Sequence, residues 1–494
     1  MVPFGEGALR FTLEEGTDRR ALLASLRGVR GITDVVLAED TGVVLFAADE
    51  ARAPVSAAVS ALLSATPATA AELPRDRHVV RVVYDGEDLA EIAARLGVDT
   101  DDVVALHSGR EYEVAMLGFL PGFAYLRGLD SRLVLPRRAR PRTRVPAGSV
   151  AIAAEYTGIY PFASPGGWSL LGRIVGRRMF GDGGAALALG DRVRFEPADP
   201  IEPSDVLAGG DAPMPPVRDV HLEVVKVHGP AIVIDGGRIG HMHEGVPRGG
   251  PMVARALARS NAAAGNLMGA AAIEVYGALE VIARGGSSTV ADDVRGATVL
   301  AEGESFTLAT RGQTRVRYLA VGGGVDVPRV LGGHGTLLVA GLGGYAGRPL
   351  KRGDRLSSAG AATATSTTLT TPTDLALPTV PTLLTLPGPD ADANVIAAIA
   401  RATFTISAHS DRIGTRLEGP ALPPHPAEAA PERRSRPMLR GAVELTPHGL
   451  VVLGPDHPTT GGYPVVAVMP ERALDELLTL PLGAKVRLAP PVEA

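Results

Sequence analysis

Few side chains in this 494-residue sequence are spaced for chemistry, and most of them stand beside glycine or proline. His107 comes four residues before Glu111, near the end of a helix expected to start at Asp99-Thr100-Asp101-Asp102. If that helix persists, the two share a face, where a carboxylate can orient imidazole for proton transfer; the alternative is a histidine capping the helix C-terminus. Asp411, Arg412 and Arg416 flank a glycine turn, so that two guanidinium groups can grip a carboxylate or phosphate. Thr459 and Thr460 offer hydroxyls beside backbone amides freed by Gly461 and Gly462, a combination able to stabilise negative charge developing on an oxygen. Asp235 and Arg238 are spaced to close a turn by an ion pair or to serve a site.

Two Gly-Pro blocks carry much of this set. The first runs from Gly118-Phe119-Leu120-Pro121-Gly122-Phe123-Ala124-Tyr125-Leu126 through Val145-Pro146-Ala147-Gly148-Ser149-Val150 to Thr157-Gly158-Ile159-Tyr160-Pro161 and Ser164-Pro165-Gly166-Gly167-Trp168. The second is Thr459-Thr460-Gly461-Gly462-Tyr463-Pro464. Alternation of glycine and proline specifies loop shape, and corners of an all-β barrel use the same punctuation. The first block also holds the only Trp and Tyr156 and Tyr160, and it follows the basic run Arg137, Arg138, Arg140, Arg142 and Arg144. Rigid backbone, aromatic faces and guanidinium groups together suit a small planar or anionic ligand. The expectation is one cleft between two halves of the chain, with His107 moving protons, the Gly166-Gly167-Trp168 loop as a wall and the Thr459–Pro464 loop as an oxyanion site.

The first block resembles the first subunit of bacterial ATP-dependent 5-oxoprolinase, the allophanate hydrolase subunit 1 or sporulation kinase inhibitor family. From Val224 onward the chain resembles the partner subunit, allophanate hydrolase subunit 2, at Asp235-Gly236-Gly237-Arg238, Gly245-Val246-Pro247-Arg248, Tyr318–Pro328, Ala340–Gly344 and the second block. It departs from that pattern at Ile232-Val233-Ile234, at Gly249–Val253, where a carboxylate is missing, and at Thr415. The resemblance implies a fusion of both subunits that opens the lactam 5-oxoproline to glutamate, with ATP and Mg2+ as cofactors and a separate third subunit as partner. Arg142, Arg144, Pro146, Gly148, Ser149, Tyr160, Pro165, Gly166, Gly167, Trp168, Asp235, Arg238, Arg416, Gly461, Gly462 and Tyr463 would bind substrate or nucleotide. His107, Glu111, Asp411, Arg412, Thr459 and Thr460 would be catalytic. Two other functions belong to the same resemblance: the biotin-dependent carboxyltransferase of urea carboxylase, and inhibition of a sensor histidine kinase.

Composition narrows the classes. The sequence has no cysteine, which excludes disulfides and thiolate chemistry. A formal charge of −5 argues against nucleic acid as partner. No stretch reads as a signal peptide or bilayer span, so the expectation is a cytoplasmic protein without membrane contact, free to form a homo-oligomer. There is no phosphate loop, dinucleotide fingerprint, Gly-x-Ser-x-Gly or His-Glu-x-x-His. His241 and His243 read as a surface pair on a strand, and no metal site is expected.

The elements needed to position these residues are those of a mainly β chain. Residues 1–73 read as a small α/β subdomain, with helical spacing at Ala21–Leu26 and Val55–Ser64 and strands at Ile32–Leu37 and Val43–Phe46. The resemblance implies that residues 74–200 and 220–490 are two cyclophilin-like β-barrel domains in tandem, joined by a linker at 201–219. A Gly turn before a short strand recurs at Leu189–Phe195, Lys351–Leu356 and Leu482–Leu488, suggesting related β units. Pro197–Val217, Ser357–Pro381 and Pro420–Pro437 read as linkers or surface loops, the second expected to be mobile.

Overall fold

The computed structural model describes residues 1–47, 52–65, 75–199, 212–360, 380–426 and 434–490. Most of Pro197–Val217 and Ser357–Pro381, and the centre of Pro420–Pro437, fall outside the described residues.

The N-terminal unit is an antiparallel sheet in the order Val2–Pro3, Ala8–Thr12, Thr41–Phe46, Ile32–Leu37. Leu9, Phe11, Val35, Val44 and Phe46 point to one face and pack on Leu22, Leu26, Val55 and Val59 of the helices Arg19–Arg27 and Arg52–Ser64. Asp18 caps the first helix by accepting the Arg20 and Ala21 N–H groups. On the other face Ala8, Val36, Val43 and Leu45 pack on Met242, Met438, Leu439 and Val465 of the second half. Burial of both faces is why Val43-Val44-Leu45-Phe46 is apolar without alternation.

Next comes a closed seven-stranded barrel in the order Tyr156–Ile159, Ala124–Arg127, Glu111–Leu117, Arg192–Pro197, Arg77–Val83, Ser169–Ile174, Ser149–Ala153. Its helices are Leu89–Leu96 and Thr100–Ser108; the second lies where the sequence places it, capped by Asp99. The second half contains two sheet systems. Four- and five-stranded sheets enclose Val224, Leu279, Val281, Ile273 and Leu319, and the outer face of the five-stranded sheet joins the core of an eight-stranded, curled half-barrel spanning Thr382–Ala489. The mainly β class with an α/β start therefore holds.

The recurrent glycine turn is a real structural echo. Gly190, Gly353 and Gly483 have φ of 85°, 88° and 85°, the left-handed region glycine enters without steric cost, and each precedes a short strand. The first and third of those strands pair in parallel with the strands Arg77–Val83 and Thr382–Leu384, which open their respective sheets.

Candidate functional site

A densely charged interior surrounds Arg412. Asp411 starts it: its Oδ1 accepts the N–H groups of Ile413 at 2.8 Å and Gly414 at 3.1 Å, a turn that sends the intervening side chain inward. Gly454 completes the approach, since a Cβ there would lie 2.3 Å from the Arg412 carbonyl oxygen. This crossing delivers Asp456, whose oxygens accept from Arg412 Nε at 2.7 Å and Nη2 at 2.9 Å. Nη1 donates to Glu274 through a very short bond, and Nη2 also donates to the Gly250 carbonyl at 2.8 Å. Glu274 in turn accepts from the Tyr276 hydroxyl at 2.6 Å, the Tyr318 hydroxyl at 2.7 Å and the Met252 N–H at 2.7 Å. Burial opposes the Arg412 charge, but Asp456 and Glu274 more than reverse that and hold its pKa well above the usual value. Burial, reinforced by the Glu274 charge, raises both tyrosines well above theirs.

This network floors a cavity of about 780 Å3 between the two sheet systems of the second half. Ile232, Leu338, Val339, Ile413 and Leu482 give it apolar walls, and Tyr276, Arg315, Asp411, Arg412 and Asp456 give it polar ones. Arg315 is tied to Thr415 Oγ1 at 2.7 Å and the Asp411 carbonyl at 2.9 Å, while Thr314 Oγ1 is buried without a partner among the described residues. Such a site can hold a ligand with an apolar body and a polar end. Arg412 cannot also grip an anion, because its guanidinium nitrogens are already committed.

The two Gly-Pro blocks do meet, at the seam between the halves. Phe119 N–H donates to Thr460 Oγ1 at 3.1 Å, and Gly122 N–H to the Glu244 carbonyl at 2.8 Å. Thr459 is fully buried, its Oγ1 unpartnered among the described residues. Gly461 pairs with Arg436 and lies against the nearly buried Glu444, whose carboxyl burial pushes up to about 7; Gly462 and the partly exposed Tyr463 follow. Val339 packs on the aromatic cluster of the first block, so the cavity wall and the first barrel are in contact.

Other expected site residues fall elsewhere. The helix ends at Ser108 and Glu111 is the exposed first residue of a mostly buried strand, so the His107–Glu111 pair on one helical face does not form. His107 is fully buried under Phe195 and Tyr112, with Nδ1 2.8 Å from the Tyr84 hydroxyl and Nε2 2.8 Å from Thr157 Oγ1. Burial pushes its pKa down to about 3. It lies on the helix Thr100–Ser108, packs against the barrel through Phe195, and lines neither the cavity beside Arg412 nor the seam at Thr459. Trp168 itself is 6% exposed and packs edge-on to Phe123 and Tyr125, and Tyr160 belongs to the same cluster. Gly166 leaves room for the Tyr160 hydroxyl, and the Gly167 carbonyl accepts the Arg138 N–H. Pro146, Gly148 and Ser149 form a barrel turn, and Pro165 is exposed on a short strand beside it. Arg142 does not stand free for a ligand: with Arg138 it holds buried Asp88, both at 2.7 Å, and Asp88 Oδ2 accepts the Leu170 N–H. Arg144 is exposed.

Arg416 points outward from the strand Gly414–Glu418, so it does not converge with Arg412. Asp235 and Arg238 do not close a turn on each other; Asp235 accepts from Gly237 and His334 N–H groups, and buried Arg238 donates to the Val330 and Gly335 carbonyls. His241 precedes and His243 lies within a 3-10 turn at the seam beside Glu244, not a strand. Asp76, His78 and Asp191 come together, but Asp191 already holds Arg20 and His78. Sequence reasoning missed Asp456, Tyr276, Tyr318 and Arg315. The available signal was Glu274-Val275-Tyr276, a polar pair on one face of an otherwise apolar strand.

Fold and seam define a class. Residues 2–181 match the carboxyltransferase domain, subdomain C and D, and residues 244–490 the carboxyltransferase domain, subdomain A and B; the chain belongs to this carboxyltransferase-domain family. More particularly, its first half is similar to the B-type subunit of 5-oxoprolinase from Escherichia coli O157:H7, 48% identical over 131 residues, or 25% of this chain and 60% of that protein. Its second half is similar to the C-type subunit of 5-oxoprolinase from Escherichia coli K12, 32% identical over 289 residues, 54% of this chain and 89% of that protein. The order of the two matches is that of a B–C fusion. The chain thus spans less than two thirds of the B-type relative. The crystal structure of TTHA0988 superimposes with a TM-score of 0.84 at 29% identity, covering 98% of this chain and 99% of that one. Among the described residues no helix is long and apolar enough to cross a membrane.

Proposed function

We propose that this chain is the fused B and C component of an ATP-dependent 5-oxoprolinase, a cyclic-amide hydrolase inactive alone, which activates 5-oxoproline for opening to glutamate with a separate third subunit. The observation that carries the reading is that a half similar to the B-type subunit and a half similar to the C-type subunit are locked together by one buried seam. A lactam amide is resonance-stabilised and resists water; phosphorylation of its oxygen makes the carbonyl carbon a better electrophile, which gives ATP with Mg2+ a role as co-substrate. The Arg412 cavity does not fit a triphosphate, because Arg315 and Arg412 face Glu274, Asp411 and Asp456 and are already hydrogen-bonded. No step is therefore assigned to ATP there. The reading also implies a cytoplasmic location.

The test is reconstitution: purified chain, third subunit, MgATP and 5-oxoproline, with glutamate and phosphate measured. Stoichiometric glutamate and phosphate that require both proteins are expected; no product overturns the reading. Because both matched families are carboxyltransferase domains, the second reading is carboxyl transfer from carboxybiotin to urea. Turnover of that pair in place of 5-oxoproline would establish it.

A further inference from the structure

A second cleft, of about 490 Å3, lies between the N-terminal sheet and the second half. Phe4, Leu45 and Val468 make it apolar on one side; His457, Arg440 and Arg248 bring polar groups to it. It is separate from the Arg412 cavity, although Asp456 and His457 are adjacent in sequence and each faces a different one.

His457 is 2% exposed and held in one tautomer. Its Nδ1 lies 2.8 Å from the Pro458 carbonyl, which can only accept, so Nδ1 carries the proton and Nε2 keeps its lone pair. Burial, opposed by the Pro458 carbonyl and reinforced by Arg440 and Arg248, pushes the pKa down to about 4, so the ring is neutral near pH 7. Arg440 has a complementary vacancy. Its Nη2 donates to the Met252 carbonyl at 3.0 Å and makes only long ion pairs, beyond hydrogen-bond reach, with Asp475 at 3.7 Å and Glu471 at 3.8 Å. Its Nε–H is buried with no acceptor among the described residues. Buried polar groups are ordinarily paired, so an unpaired one calls for an explanation, and a ligand in the adjoining cleft supplies one here. Arg248 is already committed, through Nε to Asp34 at 2.6 Å and Nη2 to Thr33.

We propose that this cleft binds a compact organic carboxylate that also bears an N–H or O–H donor, the carboxylate taken by Arg440 and the donor by His457 Nε2. Anion and donor must be close together in the ligand, because Arg440 and His457 line one small cleft. The chemical class follows from the cleft; its identification as 5-oxoproline, with a carboxylate on the carbon next to a lactam N–H, rests on the function proposed above.

Calorimetry on the full chain tests this with four probes: L-5-oxoproline, cyclopentanecarboxylate without the donor, 2-pyrrolidone without the carboxylate, and L-lactate as a hydroxy acid outside the lactam class. 5-Oxoproline should bind best and weaken at least about tenfold in His457→Leu and in Arg440→Gln. His457→Gln, which keeps an accepting carbonyl, should recover part of the loss and shows that a fold defect is not the cause. Leu338→Trp, which narrows the Arg412 cavity, should leave affinity unchanged. Wild-type affinity in both cleft variants, loss only in Leu338→Trp, or no binding of any probe overturns the site. If L-lactate shows the cleft pattern and 5-oxoproline does not bind, the cleft stands and the 5-oxoprolinase reading falls. Reconstituted turnover of 5-oxoproline undiminished in His457→Leu would do the reverse.

Discussion

The Phe119 N–H and the Thr460 hydroxyl meet at 3.1 Å across 341 positions of sequence, joining the two Gly-Pro loops at the seam between the halves. Gly118 makes it possible: a Cβ there would lie 2.1 Å from Thr460 Oγ1 and 2.5 Å from its Cγ2. Gly118→Ala should therefore cost about 1–3 kcal/mol, as overpacking does. Combined with Thr460→Gly, which clears the space, the loss should shrink, giving a coupling of at least about 1 kcal/mol in denaturant unfolding. Additive losses would show that the loops do not touch in solution.

His107 is expected to report on stability and not on proton transfer. His107→Ala removes a ring packed between Phe195 and Tyr112 and should cost about 3–5 kcal/mol, while turnover per folded molecule stays unchanged. Its folded pKa, about 3, is below the roughly 6.5 of an unfolded histidine, so between those values only the unfolded chain binds the proton. The stability contribution is complete above about pH 6.5 and falls as pH drops toward 3. Unfolding free energies at pH 7 and pH 5 should differ less in His107→Gln than in wild type; identical pH slopes would refute the assignment.

Arg412 should be the costliest charged residue to remove. Taking it away strands Glu274 and Asp456 in the interior, and breaking a buried pair from one side costs about 3–5 kcal/mol. Arg412→Lys should recover less than half, because a single ammonium cannot reproduce the forked contact with Asp456. Near-complete recovery of the unfolding free energy by lysine would mean that charge alone matters there.

How much of this was legible in the sequence follows the range of the interactions. The helix at Arg19–Arg27, the Asp99 cap and the three glycine turns rest on near neighbours, and pattern reading found them. Arg412 finds Glu274 from 138 positions away and Arg142 finds Asp88 from 54, separations at which spacing carries no signal. Hence Arg142 looks like a free ligand group in the sequence and is a structural ion pair in the fold. His107 fails for a related reason: the local run shows a helix end, but the barrel strands that close over the ring come from Phe195 and Thr157.

The seam itself predicts the behaviour of a cut chain. A protease site introduced within residues 200–211 would separate two halves that share an apolar core, in which Phe4, Val36 and Val43 pack on Met438, Leu439 and Val465. Polar ties cross with it: Asp34 accepts from Gly240 N–H at 2.8 Å and Arg248 Nε at 2.6 Å, and Arg10 meets Asp390 at 3.1 Å. Buried Asp34 is paired with Arg248, so dissociation would also have to rehydrate a carboxylate and a guanidinium. After complete cleavage the fragments should co-elute as one particle in size-exclusion chromatography at physiological salt. Since apolar packing dominates, moderate salt should not release them. Elution as two folded, separate halves would show that the linkage, not the seam, holds the fusion together.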